Sequence, residues 1–131
     1  MDDFLKQRAK DFWEEADILK KNRKYNLAAF HLEQACQLWL KYLIQKNTGE
    51  FPKTHSFERL INEFVRVYPE SEPLSVFFHK SPLFFSTLED AYITSRYLPK
   101  EYSEELIEEI QKYAIEFIRI TEQITGEKFV G

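Results

Sequence analysis

The residues best suited to chemistry are three histidines, His31, His55 and His79, and six arginines, of which Arg96 follows Tyr92 by one helical turn and Glu89 by two. Histidine moves protons near neutral pH, and arginine grips a phosphate or carboxylate through a planar fork of donors. The spacing puts Tyr92 and Arg96 on one helical face, with Glu89 near them. Two readings of that face stay open. In one, the guanidinium binds a phosphate or a partner's carboxylate bidentately beside the ring. In the other, it caps nearby carbonyls or pairs with Glu89 close to the helix C-terminus.

The histidines divide in the same way. His31 lies among apolar residues, as a hydrogen-bonded core histidine or as a ligand-binding or catalytic one. His55 follows Lys53 and Thr54 near a helix start. There it forms part of a cationic end for an anion, because helix N-termini favour negative charge, or it acts as a local capping group. The three histidines fall on separate elements, with no His-x-x-x-His, paired Cys or Glu-x-x-His set, so neither a metal site nor a cofactor is expected. Three glycines are too few for a phosphate loop, and a single Cys36 has no intrachain partner. Lys20-Lys21 with Arg23-Lys24 reads as a solvated helix end rather than an RNA patch.

Helices must position these groups. Leu5, Ala9, Phe12, Ala16 and Leu19 recur at spacings of four and three, an amphipathic helix to about Lys21, with Asp2 or Asp3 as its cap and Asn22 near its end. From Tyr25 to Ile44 apolar residues wrap most of the circumference, which predicts a helix buried between neighbours. Residues 45–53, with Gly49 and Pro52, read as a loop. Thr54 or Ser56 then caps a short helix through Phe57, Leu60, Ile61, Phe64 and Val65. Leu74 to Phe78 suggests one helical turn. Ser81-Pro82 opens a helix to about Arg96 whose inward face is Phe85, Leu88 and Tyr92, with Phe84 beside them. Ser103 caps the last helix, with Leu106, Ile110, Tyr113, Phe117, Ile120 and Ile124 as its stripe and Gly126 at its end. The expected fold is all-α: an antiparallel up-and-down bundle of four long helices plus a short one, one domain over residues 1–131.

Composition bounds the function. The net charge of −4 argues against binding DNA by phosphate neutralisation, leaving RNA as a minor reading. No window approaches a membrane span, and the first residues lack the cationic start and apolar run of a signal peptide, so a reducing cytoplasm is expected. Aromatic residues make up 16% of the chain, with 12 Phe and 7 Tyr, more than a core this size usually needs. They form an aromatic-rich core, or some rings line an interface or groove.

The segment Tyr25-Asn26-Leu27-Ala28-Ala29-Phe30-His31-Leu32-Glu33-Gln34-Ala35, followed by Leu38 and Lys41-Tyr42-Leu43, resembles the second helix of small prokaryotic HEPN proteins. Pro52-Lys53-Thr54-His55-Ser56-Phe57 and the stretch from Tyr92 to Arg96-Tyr97 also match, so the resemblance spans most of the chain. It implies a helical bundle that often dimerises, commonly beside a small nucleotidyltransferase, sometimes as a toxin–antitoxin pair. Many such proteins are ribonucleases with an Arg, four to six residues, then a His. That motif is absent: Arg8, Arg59, Arg66, Arg96 and Arg119 have no His at that distance, and Arg23 to His31 leaves seven intervening residues. The expectation is therefore a non-catalytic module binding a nucleotide or a nucleotidyltransferase-type partner as a homodimer, with Arg96, Tyr92, His31, His55 and Lys53 at the groove. An atypical ribonuclease using Arg96 with His31 or a Tyr, and a purely structural helical adaptor, are the alternatives.

Overall fold

The computed structural model describes residues 3–129. Its six helices are α1 (Phe4–Lys21), α2 (Tyr25–Thr48), α3 (Phe57–Val67), α4 (Glu72–Lys80), α5 (Pro82–Tyr97) and α6 (Glu104–Thr125), with no strand among the described residues. The all-α bundle is as the periodicity requires. Its centre is α2, which packs against α1, α3, α5 and α6. Ala28, Ala29, Leu32, Ala35, Cys36, Trp39, Leu40 and Leu43 are buried along it, while Leu27 is exposed and Phe30, His31, Gln34 and Leu38 are half-buried on its other side. Helix α1 lies along α2 through Ala9 and Ala16, whose small side chains let the two helices approach closely.

The aromatic surplus is largely core. Phe57 of α3, Phe77 of α4, Phe85 of α5 and Phe117 of α6 meet with ring centroids 5.3–6.4 Å apart, mostly edge to face or tilted, the arrangement that ring quadrupoles favour. Two of the buried polar rings are tied to neighbouring oxygens. The Trp39 indole N–H donates to Thr121 Oγ1 at 2.7 Å, and that hydroxyl donates to the Ile118 carbonyl at 2.7 Å. The Tyr68 hydroxyl donates to the Leu43 carbonyl at 2.5 Å.

Several local expectations change. Helix α2 continues to Thr48 and ends on Gly49 at φ +86, a left-handed conformation that glycine adopts without a Cβ penalty. The single turn expected near Leu74 is the nine-residue α4. Ser81 ends α4 and starts α5 without a side-chain cap, and Asp3 caps nothing with its carboxylate; Asp2 lies outside the described residues. Ser56 and Ser103 do cap, accepting from the Arg59 and Leu106 amides. Helix α6 is rotated from the expected stripe: Ile107, Ala114, Ile118 and Thr121 join Ile110 and Phe117 inside, while Tyr113 is exposed. On α5, Ala91 and Thr94 are buried and Tyr92 sits half-buried at the rim instead of in the core.

Thr121→Val keeps the volume but leaves the Trp39 N–H buried without an acceptor. Urea unfolding should show a loss of about 1–3 kcal/mol, whereas an unchanged midpoint would mean that the hydrogen bond contributes nothing net.

Candidate functional site

Three of the residues singled out by type and spacing meet on the surface between α2 and α5. The segment between α2 and α3 carries His55, whose ring lies 4.4 Å from that of Tyr92. The Arg96 guanidinium sits over the same Tyr92 ring at 4.1 Å and over Phe30 of α2 at 5.4 Å. Arg96 Nε donates to the Tyr92 carbonyl at 2.9 Å, which fixes the side chain along its own helix. The rest of the guanidinium has no carboxylate partner among the described residues. Glu89 is engaged elsewhere: its Oε2 accepts from the Phe57 amide at 2.8 Å.

The N-terminus of α3 receives the protein's own Glu89 carboxylate, and its side-chain cap is Ser56 rather than His55. Partial burial, then the charges of Lys41 and Arg96, hold the His55 imidazole below its ordinary pKa. Its ring is therefore neutral at pH 7, and neither ring nitrogen is hydrogen-bonded within the described residues.

His31 and Lys53 lie apart from this platform. His31 is half-buried, its Nδ1 2.7 Å from the Leu27 carbonyl, so that nitrogen carries the proton and donates. Its ring packs against Phe12 at 5.3 Å and Phe30 at 5.5 Å, and it opens on a shallow cleft of about 330 Å³ with Arg8, Asp11 and Glu15. Phe30 is thus the shared wall between His31 and Arg96. Lys53 is exposed on a separate cleft with Gln45, Glu50 and Phe51. In the basic cluster, Lys21 pairs with Asp17 at 3.0 Å and Lys20 donates to Gln111 at 2.9 Å, as a solvated helix end would. No group of three metal-ligating side chains occurs among the described residues, and no helix there is long and apolar enough to cross a membrane.

The sequence matches the family model of the HEPN domain over residues 3–124. The chain belongs to the HEPN domain family. No curated protein and no solved structure matches it. In this HEPN chain the two helices that carry the resemblance, α2 and α5, are the ones that build the platform.

Beneath the platform, α2 contributes residues that reading by type passed over. Glu33, Gln37 and Lys41 follow one another at four-residue spacing on a largely apolar helix. That polar stripe was visible in the sequence, but its depth was not. Glu33 and Gln37 are buried and Lys41 is half-buried. Gln37 Nε2 donates to the His55 carbonyl at 2.6 Å, and Glu33 Oε1 accepts from Gln34 at 2.6 Å. Burial pushes the Glu33 carboxyl up to about 7, against the opposing pull of the Gln34 hydrogen bond and the Lys41 charge.

A carboxyl raised in this way stabilises the fold fully below its unfolded pKa of 4.5, and the contribution is lost as pH rises through about 7. Stability of the wild type relative to Glu33→Gln should therefore fall between those two pH values and level off above. At pH 8 the variant should be the more stable by roughly 1–3 kcal/mol. Parallel stability–pH curves from urea titrations of the two proteins would refute this.

Proposed function

We propose that this HEPN chain is a single-domain, non-catalytic binding module. It takes a nucleotide or a nucleotidyltransferase-type protein partner on the α2–α5 platform, and it acts as a homodimer. The observation that carries the reading is Arg96: its guanidinium is held over Tyr92 by its own backbone bond, with no protein carboxylate using the remaining donors. Such a group is pre-organised for a phosphate or for a partner's carboxylate, and little side-chain freedom is lost on binding. Tyr92, His55 and Phe30 offer ring faces beside it for a base or an apolar side chain. Continuing along α5, Ile93, Tyr97 and Leu98 are exposed, Tyr97 at 70%, and provide an apolar border suited to a second subunit.

One observation favours a second reading, an atypical ribonuclease. The Arg-x4-6-His motif is missing along the chain, yet folding sets a neutral histidine, His55, and Arg96 against the same ring. An imidazole able to accept a proton next to a phosphate-binding guanidinium is a workable pair for transesterification. Intact single-stranded and transfer RNA after long incubation with concentrated protein would remove this reading and leave the binding one standing.

The binding reading is tested by thermal melting against a panel of nucleotides and short RNAs, with light scattering on the same sample. We expect a dimer whose melting temperature rises with one member of the panel. Arg96→Ala should abolish that rise, weakening binding at least tenfold, about 1.4 kcal/mol, while moving the unliganded melt by little because the side chain is exposed. A monomer that ignores the panel, with Arg96→Ala indistinguishable from wild type, would sink the proposal.

A further inference from the structure

Two buried acceptors lie one helical turn apart under the platform. Neither Glu33 Oε2 nor Gln37 Oε1 has a hydrogen-bond partner, and hydrogen bonding from Gln37 to the Glu33 carboxyl favours its ionised form. The orientation of the Gln37 amide is dictated from its other end. The His55 carbonyl is an acceptor, so Gln37 must face it with nitrogen, at 2.6 Å, and turn its oxygen away. Two unpartnered acceptors in a dry site are costly; the second Gln37 N–H serves only the carboxylate, whereas a proton on Glu33 bridges both oxygens. The surroundings add no competing donor of known geometry. From α2, Glu33 is faced by Lys41 and the buried Cys36 thiol, and from α5 by Glu89, which is committed to the Phe57 amide. The Lys41 charge also acts on the His55 ring. Helices α1, α3 and α6 turn largely apolar faces inward, among them Ala9 and Ala16, Leu60 and Phe64, and Ile110 and Ala114.

We propose that Glu33 and Gln37 form a proton-gated latch that positions the platform. With the proton present, Glu33 Oε2–H donates to Gln37 Oε1, and Gln37 Nε2 holds the His55 carbonyl, keeping the His55 ring on Tyr92 beside Arg96. When the proton leaves, the Glu33 carboxylate competes for the Gln37 N–H donors. The amide turns over, and the bond to the His55 carbonyl is lost. Gln37 is thus a positioning residue for His55, and Glu33 is its switch. The midpoint near 7 places the change in the physiological range. As regulation of a binding surface the latch rests on the module reading above, but its proton coupling is tested without any ligand.

The experiment is NMR titration of the isotope-labelled full chain from pH 5 to 8.5. It follows the Glu33 side-chain carboxyl carbon, the Ser56 amide next to the His55 carbonyl, the Tyr92 ring and the His55 ring. The expected result is one shared transition near pH 7 for Glu33, Ser56 and Tyr92, separate from the His55 titration, which lies below 6.5. Glu33→Gln should lose the transition, while Gln37→Leu should keep the Glu33 titration and uncouple Ser56 from it. A Glu33 carboxyl that titrates below pH 5.5 would overturn the proposal, as would a Ser56 signal that follows only His55 or that still tracks Glu33 in Gln37→Leu. If Glu33→Gln does not fold, the wild-type and Gln37→Leu titrations decide alone. A failed latch with a nucleotide-responsive dimer rejects only the latch. An intact latch in a chain that ignores every ligand rejects only the module.

Discussion

A polar side chain on the buried part of a helix cannot reach water, and most of α2 is buried. Each polar residue there must find a partner in the protein or carry a cost of a few kcal/mol. One buried arc of α2 meets this with apolar residues, Ala28, Ala29, Leu32, Ala35 and Leu43 among them. The face towards α3 and α5 carries Glu33, Gln37 and Lys41 instead. The α2–α3 connection is drawn onto it by the Gln37 bond to the His55 carbonyl. The rest of the platform follows: with its backbone tied there, the His55 ring reaches Tyr92, and Tyr92 in turn seats Arg96.

The aromatic web on the other side of the bundle plays a complementary part. Phe57, Phe77, Phe85 and Phe117 join α3, α4, α5 and α6 through ring edges and faces, setting α5 at a fixed distance from α3. Glu89 then reaches the start of α3, where its charge matches the helix dipole and its oxygen takes the Phe57 amide. That contact removes Glu89 as a partner for Arg96. A structural interaction at one end of this face of α5 thereby leaves the Arg96 guanidinium without a carboxylate two turns along it.

Glu33 illustrates the tension between stability and use. Its raised pKa means that the ionised carboxylate opposes folding, and an apolar residue of similar size at this depth would remove that cost. Keeping a titratable group one bond removed from the segment that carries His55 makes sense if the platform responds to it. The same logic does not extend to Cys36, which is equally buried on α2 and free of any disulfide. Cys36 serves as a small apolar filler.

Periodicity alone determined that the chain is helical, where α1, α2, α5 and α6 run, and that α2 is central, because spacing of apolar residues is a local property of the sequence. Family membership was legible too, in the residues from Tyr25 to Leu43 and around Arg96. The pairing of Tyr92 with Arg96 was readable because both lie on one helix, a turn apart. What joins them was not. His55 is 37 residues before Tyr92 and in no periodic pattern, so only the packing of the α2–α3 segment onto α5 could bring their rings together. The same packing sends Lys53, two residues away, to a different cleft, and places Phe30 between His31 and Arg96. Burial depth was likewise beyond the sequence. Glu33, Gln37 and Lys41 form a polar stripe in either case, and only the three-dimensional neighbours decide whether such a stripe meets solvent or, as here, the underside of the platform between α2 and α5.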